Sequence, residues 1–184
     1  MMEIYLSRHG ETIWNQKNIF CGHSDIPISE KGKKQAEELG NKLLDEGITM
    51  ILTSPLLRAK QTADIIGQIL DVPILEEHLL IEQDFGMFEE LSMKDEESVK
   101  YRTNFFQPFP EGESVVMVVY RVMQLIKKLT KEYRDQKILM VSHGAFCRIF
   151  HACMYKVSNT EYQKILFQNC QTQKYKIHTG MKYK

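Results

Sequence analysis

Arg8-His9-Gly10, Ser54 with Arg58, and His143-Gly144 are the places in this chain where residue type and position could together do chemistry. Each follows a short apolar run that reads as a strand, and in open α/β sheets ligands sit beyond the carboxyl ends of parallel strands. Two histidines and two arginines would then meet at one edge of a sheet. Such a set suits a phosphoryl group, because guanidinium forks bind phosphate oxygens bidentately and a neutral imidazole can attack phosphorus. Helix N-termini after Pro55 and Gly144 would add backbone amide donors. A single histidine after a strand is most often structural; the case rests on the set.

The elements that must carry these residues follow from periodicity. Glu3 to Ser7 reads as a buried strand that delivers Arg8 and His9 and stops at Gly10. After a loop holding Gly22 and Pro27, Ser29 predicts a helix cap, Ala36, Leu39, Leu43 and Leu44 an apolar face, and Gly47 the stop. Met50 to Thr53 is a second strand. Ser54-Pro55 predicts the next helix start, with Arg58 in the first turn and Ala59, Ala63, Ile66 and Leu70 as its apolar stripe. Val72 to Glu90 reads as a short strand plus loop, and the charged Ser92 to Arg102 as a solvated helix, with a lid as the alternative.

Gly112-Glu113-Ser114 leads into the clearest helix, Val115 to about Tyr133, with valine, leucine and isoleucine at helical spacing. Lys137 to Ser142 follows as a buried strand, Ala145 to Met154 as a helix, and Thr172 to His178 as a last strand before a basic tail. Strands alternating with helices imply an α/β fold: a three-layer sandwich with a mostly parallel central sheet and helices on both faces. No repeat or flexible linker interrupts the chain, so residues 1–184 read as one domain, with about 87–112 as an insertion over the active-site end. Phe105, Phe106 and Phe109 are expected to be core, with a hydrophobic wall over the substrate as the alternative.

Composition narrows the partners. Lys plus Arg and Asp plus Glu both number 24, and this balance removes any general electrostatic reason to expect nucleic acid or an anionic membrane. Cys21, Cys147, Cys153 and Cys170 show no spacing that suggests a disulfide framework or zinc knuckle, and the start of the chain lacks a secretory pattern. Reduced thiols and a cytoplasmic location are expected. Cys21 and His23 alone are too few to hold a metal, so no metal site is expected.

Several ordered motifs sharpen the reading. Ser7-Arg8-His9-Gly10-Glu11-Thr12 with Asn15 resembles the R-H-G-E-T-x-x-N signature of the histidine phosphatase superfamily, which includes the cofactor-dependent phosphoglycerate mutases. Gly22, Asp25, Pro27 and Ser29 resemble its G-x-x-D-x-P-L-S stretch, Ser54 to Ala63 its S-x-L-x-R-A-x-Q-T-A, Glu82 to Gly86 its E-x-D-F-G, and Val141-Ser142-His143-Gly144 its V-S-H-G. The resemblance implies that His9 attacks phosphorus while Arg8, Arg58 and His143 hold the transferring oxygens and Asn15 assists. Glu82 would protonate the departing oxygen and then activate water. Gly22 and Gly144 would line the substrate site, and Cys21 and His23 lie on a loop near it. No cofactor is implied.

The chain departs from the pattern at Phe88-Glu89-Glu90, where the family often has W-E-G, and at Ala145, where it often has a second glycine; neither departure is expected to touch the chemistry. The mutases of the family carry a long insertion, whereas only about thirty residues separate Gly86 from the long helix here, so hydrolysis is expected over mutase transfer. In size and layout the chain is similar to the family's short phosphatases, α-ribazole phosphatase and broad-specificity bacterial members among them. A small phosphorylated metabolite is the expected partner, and the oligomeric state is left open. A catalytically silent binding protein of the same fold is the rival from another class. Such a protein should have lost one of the core residues, and none is missing.

Overall fold

The computed structural model describes residues 2–155 and 157–177. Five strands form one sheet: β1 (Met2–Arg8), β2 (Met50–Thr53), β3 (Ile74–Glu76), β4 (Lys137–Ser142) and β5 (Thr172–Ile177), in the spatial order β3-β2-β4-β1-β5. β1, β2, β3 and β4 are parallel, and β5 closes one edge antiparallel to β1. The seven helices are α1 (Ile13–Lys17), α2 (Glu30–Lys42), α3 (Leu57–Leu70), α4 (Ser98–Thr103), α5 (Val115–Glu132), α6 (Gly144–Met154) and α7 (Asn159–Lys164), counted among the described residues. None is long and apolar enough to cross a membrane.

The period-2 alternation of the strands divides the core between two faces. Ile4, Leu6, Leu52, Ile138 and Met140 pack with Val118, Val122, Leu125 and Ile126 of α5 and Phe146 and Phe150 of α6. Tyr5, Ile51, Leu139 and Val141 pack with Ala36 and Leu39 of α2 and Ala59, Ala63 and Ile66 of α3. Each fully buried aliphatic side chain contributes roughly 1.5–3 kcal/mol. The sheet is therefore covered on both sides, as the sequence predicts. A third, smaller cluster of Phe20, Phe85, Phe88, Tyr101 and Phe109 supports the insertion.

Most elements fall where periodicity puts them, and the departures have local causes. Ser29 caps α2 by accepting the Gly32 amide at 3.1 Å, but the helix stops at Lys42 and Leu44 turns out to solvent in a 3-10 turn that ends at Gly47. Pro55 does not open a helix. The Ser54-Pro55-Leu56 segment stays outside α3, which starts at Leu57, whose amide donates to Asp25 Oδ1 at 2.6 Å. The charged Ser92–Arg102 stretch is helical only from Ser98, and Ser98 and Tyr101 are buried rather than solvated. Phe109 is core at 1% exposure, whereas Phe106 is 81% exposed. Helices α1 and α7 are too short to leave a periodic signal. His178 and the basic tail lie outside the described residues.

The insertion is pinned at its base by Gly86, whose φ of +51° suits glycine and whose Cα faces the Pro110–Gly112 backbone so closely that a Cβ would collide with it. The Met87 amide donates to the Pro110 carbonyl at 3.0 Å, closing the loop.

Candidate active site

Strand register assembles the site. β1 and β4 are parallel neighbours with Arg8 opposite Ser142, so the next residues, His9 and His143, leave the sheet side by side. Their rings lie 5.2 Å apart between centroids, inclined by 57°. On the other flank of β4, Thr53 is opposite Val141, and Ser54 emerges beside His143 with its Oγ 2.7 Å from Nε2. Three strand ends thus place three of the expected groups together.

His9 is buried, and its Nδ1 lies 2.7 Å from the Gly10 carbonyl oxygen. A carbonyl can only accept, so Nδ1 carries the proton and Nε2 keeps its lone pair. Burial, reinforced by the charges of Arg58 and Arg8, holds the pKa of His9 well below 6.5. The ring is therefore neutral at pH 7. His143 is shifted the same way, by burial first and by the Arg58 charge next. A Ser54 hydroxyl that donates to Nε2 leaves the other proton on Nδ1, a buried atom without a partner.

Arg8 reaches the cleft with one terminal nitrogen donating to the Phe167 carbonyl at 2.9 Å and with its Nε unpartnered. Arg58 is fully buried, and its terminal nitrogens donate to the carbonyls of Ser24, Cys21 and Gly22 at 2.8, 3.1 and 2.7 Å; its Nε is likewise unpartnered. Unmade hydrogen bonds on buried donors are costly. Around His9 there are three such nitrogens, on Arg8, Arg58 and His143, and an anion would satisfy them.

Glu82 is buried on the N-terminus of α6. Its Oε1 accepts the amides of Gln83 and Phe146, both at 2.9 Å, and its Oε2 accepts that of Ala145 at 3.0 Å. His143 gives α6 no side-chain cap, so the carboxylate supplies the missing acceptor. The contact from Ala145 is made by its backbone. A residue expected to be remote from the chemistry thus touches the candidate acid, and the glycine-to-alanine change leaves that amide intact.

Asn15 closes a capping box with Thr12: its Oδ1 accepts the Thr12 amide at 3.1 Å, and the same oxygen accepts from Asn169 at 3.1 Å. Its amide nitrogen is left as a donor for the cleft. A cavity of about 180 Å³ is walled by Arg8, His9, Asn15, Cys21, Glu82 and Gly144, among others. Arg58, His143 and Gly22 are not in that wall. Arg58 and His143 stand behind it, and Gly22 is tightly packed: its amide donates to Glu89 at 2.8 Å, and a Cβ would strike Glu89 and the Gln83 carbonyl. The Cys21 thiol lies 3.7 Å from the Ser24 carbonyl oxygen, and burial pushes its pKa up to about 11, so it stays uncharged.

Sequence reasoning missed the groups that hold this arrangement in place. Glu89 accepts from the amides of Gly22, His23 and Ser24 and from the Ser24 hydroxyl at 2.6 Å, fixing the loop whose carbonyls hold Arg58. Arg121 of α5 donates to the carbonyls of Leu79, Ile81 and Glu82 at 3.2, 2.9 and 3.1 Å and makes a forked pair with Glu113 at 3.1 and 2.8 Å. Glu113 in turn accepts the Asp84 amide at 3.1 Å. Asn169 donates to the His9 carbonyl at 2.9 Å. Only Glu89 and Glu113 had a signal, as the glutamates inside the W-E-G-like and G-E-S segments.

The chain is similar to known proteins. The sequence profile of the histidine phosphatase superfamily, branch 1, matches residues 4–183. The chain is 36% identical over 158 residues to the uncharacterized phosphatase PhoE of Bacillus subtilis (strain 168), across 86% of this chain and 78% of that protein. It is 36% identical over 151 residues to the probable phosphoglycerate mutase GpmB of Enterobacter sp. (strain 638), across 78% and 70% respectively. Its fold superposes on the crystal structure of the α-ribazole phosphatase from Shigella flexneri with a TM-score of 0.84 at 26% identity, over 96% of this chain and 91% of the other. With the profile running nearly end to end and the Bacillus relative matched over most of both chains, the chain belongs to the histidine phosphatase superfamily.

Proposed function

We propose that this protein hydrolyses small phosphate monoesters in two steps through a phosphohistidine on His9. The observation that carries the reading is the 2.7 Å contact between His9 Nδ1 and the Gly10 carbonyl, which leaves Nε2 as a neutral nucleophile in the cleft wall. Nε2 attacks phosphorus and the bond to the leaving oxygen breaks. Arg8 and Arg58, with His143 Nδ1 and the Asn15 amide, balance the charge on the transferring oxygens. Glu82 gives a proton to the leaving alkoxide, then takes one from the water that cleaves the phosphorus–nitrogen bond and releases phosphate.

These groups supply positioning and charge stabilisation from the chain itself, and the reading needs neither metal nor cofactor. Water is the acceptor in preference to a second hydroxyl, on the short insertion and on the likeness to relatives named as phosphatases. The four free cysteines fit a cytoplasmic location. Turnover of a chromogenic phosphate monoester, measured with and without chelator, tests this function. Equal release of phosphate in both is expected; activity abolished by chelator contradicts a metal-free reaction, and no turnover of any ester in a panel favours a silent binding protein.

A further inference from the structure

The turn that leads into β5 is pinned to the end of β1. The Cys170 amide donates to the Arg8 carbonyl at 3.0 Å, and the Phe167 carbonyl accepts from the Arg8 guanidinium at 2.9 Å. Within the turn the Gln171 amide donates to the Gln168 carbonyl at 3.0 Å, and Cys170 takes a left-handed φ of +54°, uncommon for a residue other than glycine. These contacts bring the Asn169 side chain to two residues of the cleft wall: its Nδ2 donates to the His9 carbonyl at 2.9 Å and to Asn15 Oδ1 at 3.1 Å. Both hydrogens of that nitrogen are thereby used.

The direction of each amide follows from its neighbours. A backbone carbonyl can only accept, so the atom of Asn169 that faces His9 is the nitrogen. The atom of Asn15 that faces this nitrogen is then the oxygen, which also takes the Thr12 amide at 3.1 Å. Turning the Asn15 amide over would set its nitrogen against two N–H donors and leave its oxygen for the cleft, where it would repel a phosphoryl group. With two donors on its oxygen, Asn15 offers the cleft one donor in one direction, and no reorientation is needed when phosphate enters.

We propose that Asn169 is a positioning residue for phosphate binding that acts through Asn15. It relays the polarity of the His9 carbonyl into the direction of the Asn15 amide, so one side chain aligns a phosphate donor with the backbone of the nucleophile. This rests on the phosphate reading of the His9 pocket. Asn169 itself is absent from the cleft wall, and it stands 154 residues from Asn15 in the chain.

A double-mutant cycle on binding tests the relay without requiring turnover. Inorganic phosphate is titrated calorimetrically into the wild type, Asn15→Ala, Asn169→Ala and the double variant, each shown to be folded by its melting curve. Asn169→Leu, which keeps the volume of the side chain without its donor, is carried through the same cycle. Asn15→Ala should weaken phosphate by about tenfold or more, the value of one hydrogen bond to a charged group. Asn169→Ala and Asn169→Leu should each weaken it by about fivefold alone, and by less than about twofold when Asn15 is already alanine. A structural role for Asn169 would instead weaken binding equally in both backgrounds. Losses that add in the double variants, or wild-type affinity in Asn169→Ala and Asn169→Leu, overturn the proposal. Failure of the wild type to bind phosphate overturns it together with the reading of the pocket, whereas absent hydrolysis beside non-additive phosphate binding upholds it and contradicts the hydrolytic function alone.

Discussion

His9 Nδ1 lies 2.7 Å from the carbonyl oxygen of Gly10, its own neighbour in the chain, so the tautomer of the candidate nucleophile is set by a local contact. The backbone of the residue is held by more distant ones. The His9 amide donates to the Ser142 carbonyl at 2.9 Å and the His9 carbonyl accepts from Asn169, tying the residue to β4 and to the segment before β5. A nucleophile fixed in this way has little conformational freedom left to lose when phosphate enters.

The two buried histidines have a consequence for stability against pH. In the folded state both stay neutral well below the ordinary value of 6.5, whereas in the unfolded chain both take up protons as pH falls past it. The unfolded state then binds more protons, so stability rises with pH up to about 6.5 and is independent of these groups above it, with a slope of up to about 1.4 kcal/mol per pH unit for each histidine. Denaturant unfolding between about pH 5 and 6.5 checks this. His9→Asn should roughly halve the slope, and an unchanged slope would show that His9 does not fold as the neutral ring.

Glu82 caps a helix as well as facing the cleft, so removing its charge has two separable effects. Glu82→Gln should cost roughly 1 kcal/mol in stability through the lost cap. Its effect on the first step, read as the rate of leaving-group release within the first turnover, should depend on the leaving group: a loss of about a hundredfold or more for alkyl phosphates, and a much smaller one for nitrophenyl phosphate, whose leaving oxygen needs no proton. A uniform loss of that first-step rate across leaving groups would contradict proton donation by Glu82.

Arg121 never enters the cleft, yet it holds three carbonyls of the segment that ends in Glu82. Arg121→Ala leaves Glu113 and those carbonyls without their donor and should destabilise by roughly 3–5 kcal/mol. In Arg121→Lys, folded by its melting curve, kcat should fall more than KM rises, and the leaving-group dependence should shift toward that of Glu82→Gln. Unchanged kcat in a folded Arg121→Lys would remove Arg121 from the positioning of Glu82.

The site was legible where chemistry coincides with an element boundary. His9 and His143 each follow a continuous apolar run, and such a run both predicts a buried strand and marks its carboxyl end. The neighbours of these residues were legible only where motifs included them. The Arg121 contacts to Leu79, Ile81 and Glu82 and the Glu89 contacts to Gly22 and Ser24 join segments about 40 and 65 residues apart, and no local spacing encodes such pairings. Pro55 misled because proline fits the first turn of a helix, while here α3 opens two residues later, at Leu57, whose amide is taken by Asp25 from a segment 32 residues away. Phe106 and Phe109 carry the same side chain in one insertion, and only tertiary packing separates the exposed ring from the buried one.

Covalent labelling of His9 is the most direct measure of the central claim. With a radiolabelled phosphate monoester and an alkaline quench within the first turnover, the wild type should carry an acid-labile, base-stable phosphoryl group that maps to the peptide containing His9, and His9→Ala should carry none. Label on another residue, or rapid hydrolysis by His9→Ala, would contradict the account.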